Sequence, residues 1–284
     1  TWLHQLMQAN AAAHAAAGVY LVDRAEVRAR ITRPVLDRSA VRLMRPLAAV
    51  GARRWLAGEG RGAARLVISD ENLIGGITEV LRTGRLYPSA ERRMQAFARL
   101  LGPGPVALFL GIRPQDRFSS SLTAEAVRIG SARRHTPESI AERWWQNRPR
   151  WTPVVEALAK ALPQATVTVW DFDRLVADPA VAVNALAGLP PDTPATKRAR
   201  FRRESLSAKA IEELLKIRDS IGVDAARAAE VDIRGRYPRG DDWPAFTLWD
   251  QKRAIALRQD YAEDLQRIAA LGPRVHLVTA PDPD

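Results

Sequence analysis

Pro105-Val106-Ala107-Leu108-Phe109-Leu110-Gly111-Ile112-Arg113-Pro114-Gln115-Asp116-Arg117-Phe118-Ser119-Ser120-Ser121-Leu122 is the stretch that decides the fold. Residues 105–112 are nearly all apolar and lack the alternation of a strand with one wet face. That pattern predicts a parallel strand buried on both sides. A helix is predicted over 116–129. In open parallel sheets, ligands sit beyond the carboxyl ends of the strands. Arg113 leaves the strand there, and Ser119, Ser120 and Ser121 follow at or near the start of the helix. A helix N-terminus offers free N–H groups and the positive end of a dipole. With an arginine and hydroxyls beside it, this junction is a candidate anion site. The plainer reading is that Arg113 caps a loop and the serines solvate a helix start.

Outward from this junction the chain keeps the same rhythm. A first helix is expected over 1–17, ended by Gly18, then a short extended segment over 19–22 and a helix over 39–56. A strand over 64–69 runs into Asp70-Glu71-Asn72. Helices over 90–101 and 153–162 precede the strands at 105–112 and 165–170. Strand and helix in alternation predict an α/β fold, with a parallel β-sheet flanked by helices. The last third reads as mainly helical, with apolar stripes over 205–221 and 250–271 and a polar, turn-rich loop over 234–243 between them. Nothing marks a boundary, so residues 1–284 are read as a single domain.

The formal net charge is +11, from 43 Lys and Arg against 32 Asp and Glu, and only five of the cations are lysines. Arginine presents a planar fork that suits phosphate and sulfate oxygens; a GC-rich genome that writes Arg at surface positions would give the same composition. There is no cysteine, which excludes disulfides and thiolate metal sites. No apolar run reaches the roughly 18–20 residues of a membrane span. A cytoplasmic location is the default expectation. The first residue is Thr1, so targeting stays open.

The Arg113–Ser121 stretch resembles the 3′-phosphate motif of sulfotransferases that use 3′-phosphoadenosine-5′-phosphosulfate, in which an Arg at a strand end is followed eight residues later by a Ser. The opening Thr1-Trp2-Leu3-His4-Gln5-Leu6 resembles the end of that family's phosphosulfate-binding loop and the helix after it. The resemblance implies a P-loop-type sheet and transfer of a sulfuryl group to an acceptor hydroxyl or amine, on a carbohydrate or other small molecule. It implies that Thr1 contacts phosphate, that Trp2 stacks on adenine, and that Arg113 and Ser121 hold the 3′-phosphate. The family's loop lysine and glycine have no counterpart, and no Gly-Lys pair occurs in the chain. The sequence therefore reads as a longer protein that has lost its first strand and loop, and the chain as given as an impaired enzyme. Leu66–Leu73, Ala165–Asp173, Ser205-Leu206-Ser207 and Tyr261 resemble bacterial members of the family in the same order.

Sulfuryl transfer needs a base for the acceptor proton. Glu71, just past a strand end, is the expected base; helix capping is its plainer role. His4, His14, His135 and His276 are weaker choices, and none of them pairs at a metal-ligand spacing, so no metal is expected. The resemblance also suggests that Arg236, Arg239 and Gly240 close over the nucleotide. Trp144, Trp145, Trp151, Trp170, Trp243 and Trp249 are either core anchors or a platform for a sugar. Two other classes compete. The basic cluster Lys197-Arg198-Ala199-Arg200-Phe201-Arg202-Arg203 suggests a nucleic-acid binder, though no binding module is present and no nucleic acid is expected. A P-loop phosphotransferase would use Asp70 as a metal ligand but lacks a second acidic residue for it. A catalytically dead relative is the third alternative.

Overall fold

The computed structural model describes residues 2–37, 44–130, 136–196 and 205–279. The expected first helix is broken into α1 (Trp2–Ala9) and α2 (Ala11–Ala16). Asn10 is the cause. Its amide donates to Leu6 O at 2.8 Å, and its oxygen accepts from the Thr196 N–H at 2.7 Å. A side chain that competes for backbone groups interrupts a helix, and this one also clamps residue 196 onto the α1–α2 corner.

Gly18 then turns the chain with φ +72°, and a Cβ there would meet the Ala64 Cβ at 3.1 Å. Glycine is what allows that turn and that approach. Beyond it run β1 (Val19–Leu21), α3 (Arg24–Val27), a π-helix at Arg28–Leu36, α4 (Arg45–Glu59) and β2 (Arg65–Val67). The helix expected over 39–56 thus runs from Arg45 to Glu59; residues 39–43 lie outside the described residues. The middle of the chain holds α5 (Ile77–Thr83), α6 (Ala90–Ala98), β3 (Ala107–Ile112), α7 (Gln115–Arg128), α8 (Pro137–Asn147), α9 (Thr152–Ala161) and β4 (Thr166–Asp171). The rest holds α10 (Phe172–Ala177), α11 (Pro179–Ala187), α12 (Ala208–Ser220), α13 (Val223–Arg236), α14 (Gln251–Ala269) and β5 (Val275–Val278).

The fold is α/β and 60% helical, with small parallel sheets flanked by helices. In place of one expected sheet there are two. β1 pairs with β2, Tyr20 opposite Leu66. β3 pairs with β4, and β4 with β5, with Leu110 opposite Val169 and Val169 opposite Leu277. Among the described residues no strand joins β2 to β3. What spans the two sheets is helical. Leu6 and Met7 of α1 pack with Val19 and Val67, and with Val183 and Ala187 of α11. Leu3, with Ala182 and Leu186 of α11, lines a cavity of about 30 Å³ against Phe109 and Gly111 of β3. β3 was expected to be buried on both faces. It is half-buried instead, with Ala107 and Gly111 exposed; among the described residues its outer edge has no partner strand.

The larger core lies on the other side of the sheets. Trp144, Trp151, Val155, Leu158 and Ile211 are buried there with Ile112, Val167 and Leu257. Its main polar fixture is Asp264 of α14, fully buried. Its carboxylate accepts from the Trp151 and Thr152 N–H groups at 2.7 and 3.2 Å, from Thr152 Oγ1 at 2.6 Å and from Gln115 Nε2 at 3.0 Å. One carboxylate thereby caps the N-terminus of α9 and ties it to the start of α7, directly behind the strand-to-helix junction.

Candidate functional site

Arg113 emerges at the carboxyl end of β3, and Pro114 turns the chain into α7. The guanidinium carbon of Arg113 lies 4.3 Å from the centroid of Phe172, at the start of α10. Arg113 Nε is buried and unpartnered, and the side chain makes no ion pair among the described residues. Burial, and then the charge of Arg117, pulls its pKa below the ordinary value, against the opposing fields of Asp173 and Asp116. Those carboxylates are already used: Arg117 pairs with Asp173 at 2.9 Å and Arg258 with Asp116 at 2.9 Å. Arg113 is therefore a half-buried cation with a free donor at a strand end.

The serines divide. They stand in the second turn of α7, beyond the free N–H groups of its start. Ser119 and Ser120 donate back to Gln115 O and Asp116 O, each at 2.7 Å. They also accept from Trp249 Nε1 at 2.8 Å and from the Leu248 N–H at 3.1 Å. These two hydroxyls pin the segment before α14 onto α7 and have structural work. Ser121 is half-buried and follows Arg117 by one helical turn, so it shares the face that Arg117 turns toward Asp173.

Glu71 stands just beyond the carboxyl end of β2. Arg28, the first residue of the π-helix, donates to Glu71 Oε1 at 2.6 Å and, through Nε and Nη2, to Asp70 Oδ1 at 3.0 and 2.9 Å. Thr32 donates to the second Asp70 oxygen at 3.1 Å, and the Asn72 N–H to the first at 3.3 Å. Asp70 is buried and engaged through both oxygens, which removes it from the role of metal ligand. Glu71 keeps a side chain 46% exposed. Burial works to raise its pKa, but its own backbone amide and the Arg28 guanidinium outweigh that and hold the carboxyl below its usual range. The Arg28–Thr32 pair sits on a π-helix, a rare conformation that recurs at functional sites.

α1 lies between these two groups. Trp2 is half-buried in the apolar cluster that holds Trp170 and Phe172, the ring beneath Arg113. His4 is buried, and its pKa is lowered by burial and then by Arg24; Asp23 and Glu71 oppose. The N-terminal part of α1 thus opens toward the carboxyl ends of both sheets. Thr1 lies outside the described residues, as do His135 and the basic cluster of residues 197–203. Arg239 and Gly240 are exposed, and no hydrogen bond or ion pair among the described residues links Arg239 to Arg113 or Ser121. Arg234 and Arg236, expected in a loop, are the last turn of α13. Of the tryptophans, Trp144, Trp151, Trp170 and Trp249 are buried, and Trp145 is covered by the guanidinium groups of Arg148 and Arg253. Those five are core or occupied rather than a sugar platform. Among the described residues no cluster of His, Asp or Glu could hold a metal ion, and no helix is long and apolar enough to cross a membrane.

Phe172 and Arg28 touch these groups, and sequence reasoning did not single them out. A phenylalanine after a strand has no local signal, and Arg28 reaches Glu71 from a segment without periodicity. In comparisons with protein-family models, with curated proteins and with solved structures, nothing matches this chain.

Proposed function

We propose that this protein transfers a sulfuryl group from 3′-phosphoadenosine-5′-phosphosulfate to the hydroxyl or amine of a small-molecule acceptor, on a P-loop-type arrangement of parallel strands. The observation that carries the reading is Arg113. Several half-buried and buried arginines are matched by carboxylates: Arg28 by Asp70 and Glu71, Arg93 by Asp37, Arg148 and Arg150 by Asp260; Arg45, whose Nε is likewise unpartnered, and Arg143 bond the backbone carbonyls of Asp37 and Leu81 instead. Arg113 keeps an unpartnered Nε at a strand end, where an anionic ligand would supply the missing acceptor. Ser121 adds a hydroxyl one turn beyond Arg117. Trp2 and Phe172 give an aromatic surface on which a purine can lie.

In this reading Arg113 and Ser121 hold the 3′-phosphate and orient the nucleotide. An acceptor oxygen attacks sulfur, the new O–S bond forms, and the S–O bond to the 5′-phosphate breaks with its electron pair staying on the phosphate. The acceptor proton passes to Glu71. Arg28 keeps that carboxylate ionised at neutral pH and aimed, and by lowering its pKa makes it a weaker base than an ordinary glutamate.

The test is binding of adenosine 3′,5′-bisphosphate, the product nucleotide, by calorimetry. Arg113→Ala should weaken it by about 2–4 kcal/mol, the scale expected when a charge-assisted hydrogen bond is removed from a half-buried site. Glu71→Gln should leave that affinity intact while lowering transfer by about 10²–10⁴-fold in protein that is competent to transfer. Bisphosphate affinity that is the same with and without the Arg113 side chain would sink the reading. Binding of ATP with magnesium, but not of the bisphosphate, would favour a phosphotransferase.

A further inference from the structure

The outward face of α4 is unlike that of a helix meant only for water. α12 shows the ordinary case: Lys209 and Lys216 pair with Glu212 and Glu213 along its exposed side. α4 buries Ala52 and Leu56 in the larger core. Helical spacing puts Leu47, Val50 and Arg54 on the opposite side. There Leu47 is 67% exposed and Val50 51%, and Met44 at the N-cap is 55% exposed. These are three of the eight large apolar side chains that stand exposed among the described residues. A gathered apolar patch of this kind marks an interaction surface, whereas single exposed apolar residues do not.

The cations beside the patch are uncommitted. Arg53 follows Val50 by three residues and Arg54 follows Leu47 by seven, so both border the apolar side chains. Both are exposed, as is Arg61 just past the helix, and none of the three has an ion pair or hydrogen bond among the described residues. The one carboxylate of α4 is Glu59. It follows Ala52 by two turns, on the inner side, and accepts from the Tyr20 hydroxyl at 2.7 Å.

Whatever covers this face must be apolar where Leu47 and Val50 enter it and anionic where the arginines lie. A second copy docked face to face would set the same arginines against each other, with no carboxylate on the face to receive them. A nucleic acid would answer the arginines and leave the aliphatic side chains in water. We infer that α4 lies flat on an anionic lipid bilayer, with Met44, Leu47 and Val50 in the boundary between headgroups and acyl chains and with Arg53 and Arg54 on lipid anions. The helix rests on the membrane and does not cross it. This surface is independent of the nucleotide held at Arg113.

The experiment is co-sedimentation with vesicles of phosphatidylcholine alone and of phosphatidylcholine and phosphatidylserine in equal parts. Wild type should bind the mixed vesicles about tenfold more tightly than the neutral ones, and less tightly as salt is raised. Leu47→Ser combined with Val50→Ser keeps every charge and should weaken binding to the mixed vesicles by about tenfold. Its urea midpoint should match wild type, because both side chains are exposed. Arg53→Glu with Arg54→Glu should also lose binding. Arg227→Glu with Lys252→Glu makes the same change of charge on α13 and α14, where both residues are exposed, and should keep it. Wild type that ignores the mixed vesicles, or holds both kinds equally, would overturn the inference. So would full binding by the serine variant, or an equal loss in the α13–α14 variant, which would mark attraction by net charge alone. A wild type that is dimeric without vesicles, and monomeric as the serine variant, would give the face to a second copy instead.

Discussion

The guanidinium of Arg113 stacks 4.3 Å from the centroid of Phe172, and the two residues sit at the carboxyl ends of neighbouring parallel strands, β3 and β4. The ring does for Arg113 what a carboxylate does elsewhere in the chain: it orients the cation, but without neutralising it. An interaction of this kind contributes about 0.5–2 kcal/mol.

Phe172→Ala should therefore lower affinity for adenosine 3′,5′-bisphosphate by about tenfold, since the cation is no longer pre-oriented. Phe172→Leu keeps the bulk but not the ring face and should fall near the alanine variant. Calorimetric titration of the three proteins decides. Full affinity in the leucine variant would show that only bulk matters.

Asp264 gives the largest expected loss of stability. Asp264→Ala strands two backbone N–H groups, a threonine hydroxyl and a glutamine amide in the core, and should cost about 3–5 kcal/mol. Asp264→Asn keeps part of the acceptor capacity and should cost less. Urea unfolding of each variant measures both, and a loss under about 1 kcal/mol for the alanine variant would mean that water replaces the carboxylate.

Two buried histidines set a pH dependence. Burial holds His14 below its ordinary 6.5, and burial with Arg24 does the same at His4. Because the unfolded chain takes up these protons more readily than the folded one, acid favours unfolding. The contribution is intact above the unfolded-state value and is lost as pH falls below it toward the lowered folded values. The urea midpoint should be level near neutrality and decline as pH drops under about 6.5. His14→Leu should flatten that decline. An unchanged slope in His14→Leu would assign it to His4 or to other groups.

The outer edge of β3 is apolar and unpaired among the described residues, which invites association between copies. Ala107 is exposed at its start. Ala107→Lys should reduce light scattering at high protein concentration and change stability by less than about 0.5 kcal/mol. Scattering that is equal in the two proteins would place the self-association surface elsewhere, or show that there is none.

The alternation of apolar strands and helices was legible because each is written in local periodicity: β3, β4, α7, α9 and α14 lie close to where the pattern puts them. Arg113 at the end of β3 and Glu71 beyond β2 were legible for the same reason, since a strand end is a local event. The broken first helix was not, because Asn10 ends it through Thr196, a residue 186 positions away. Nor was the π-helix, where Arg28 and Thr32 take their geometry from Asp70, or β5, whose four residues are too few to show a period.

What the sequence by itself determined is the α/β class and the residue types brought to the strand ends, since both follow from nearest-neighbour chemistry along the chain. The tertiary structure alone decided which of them have work left to do. It committed Ser119 and Ser120 to Trp249 and Leu248, closed Asp70 with Arg28 and Thr32, and left Arg113 on Phe172 with a free donor. Those outcomes depend on contacts between residues far apart in sequence, and burial makes the choice: a polar group taken out of water is held where it finds a partner, as Asp70 does with Arg28 and Thr32.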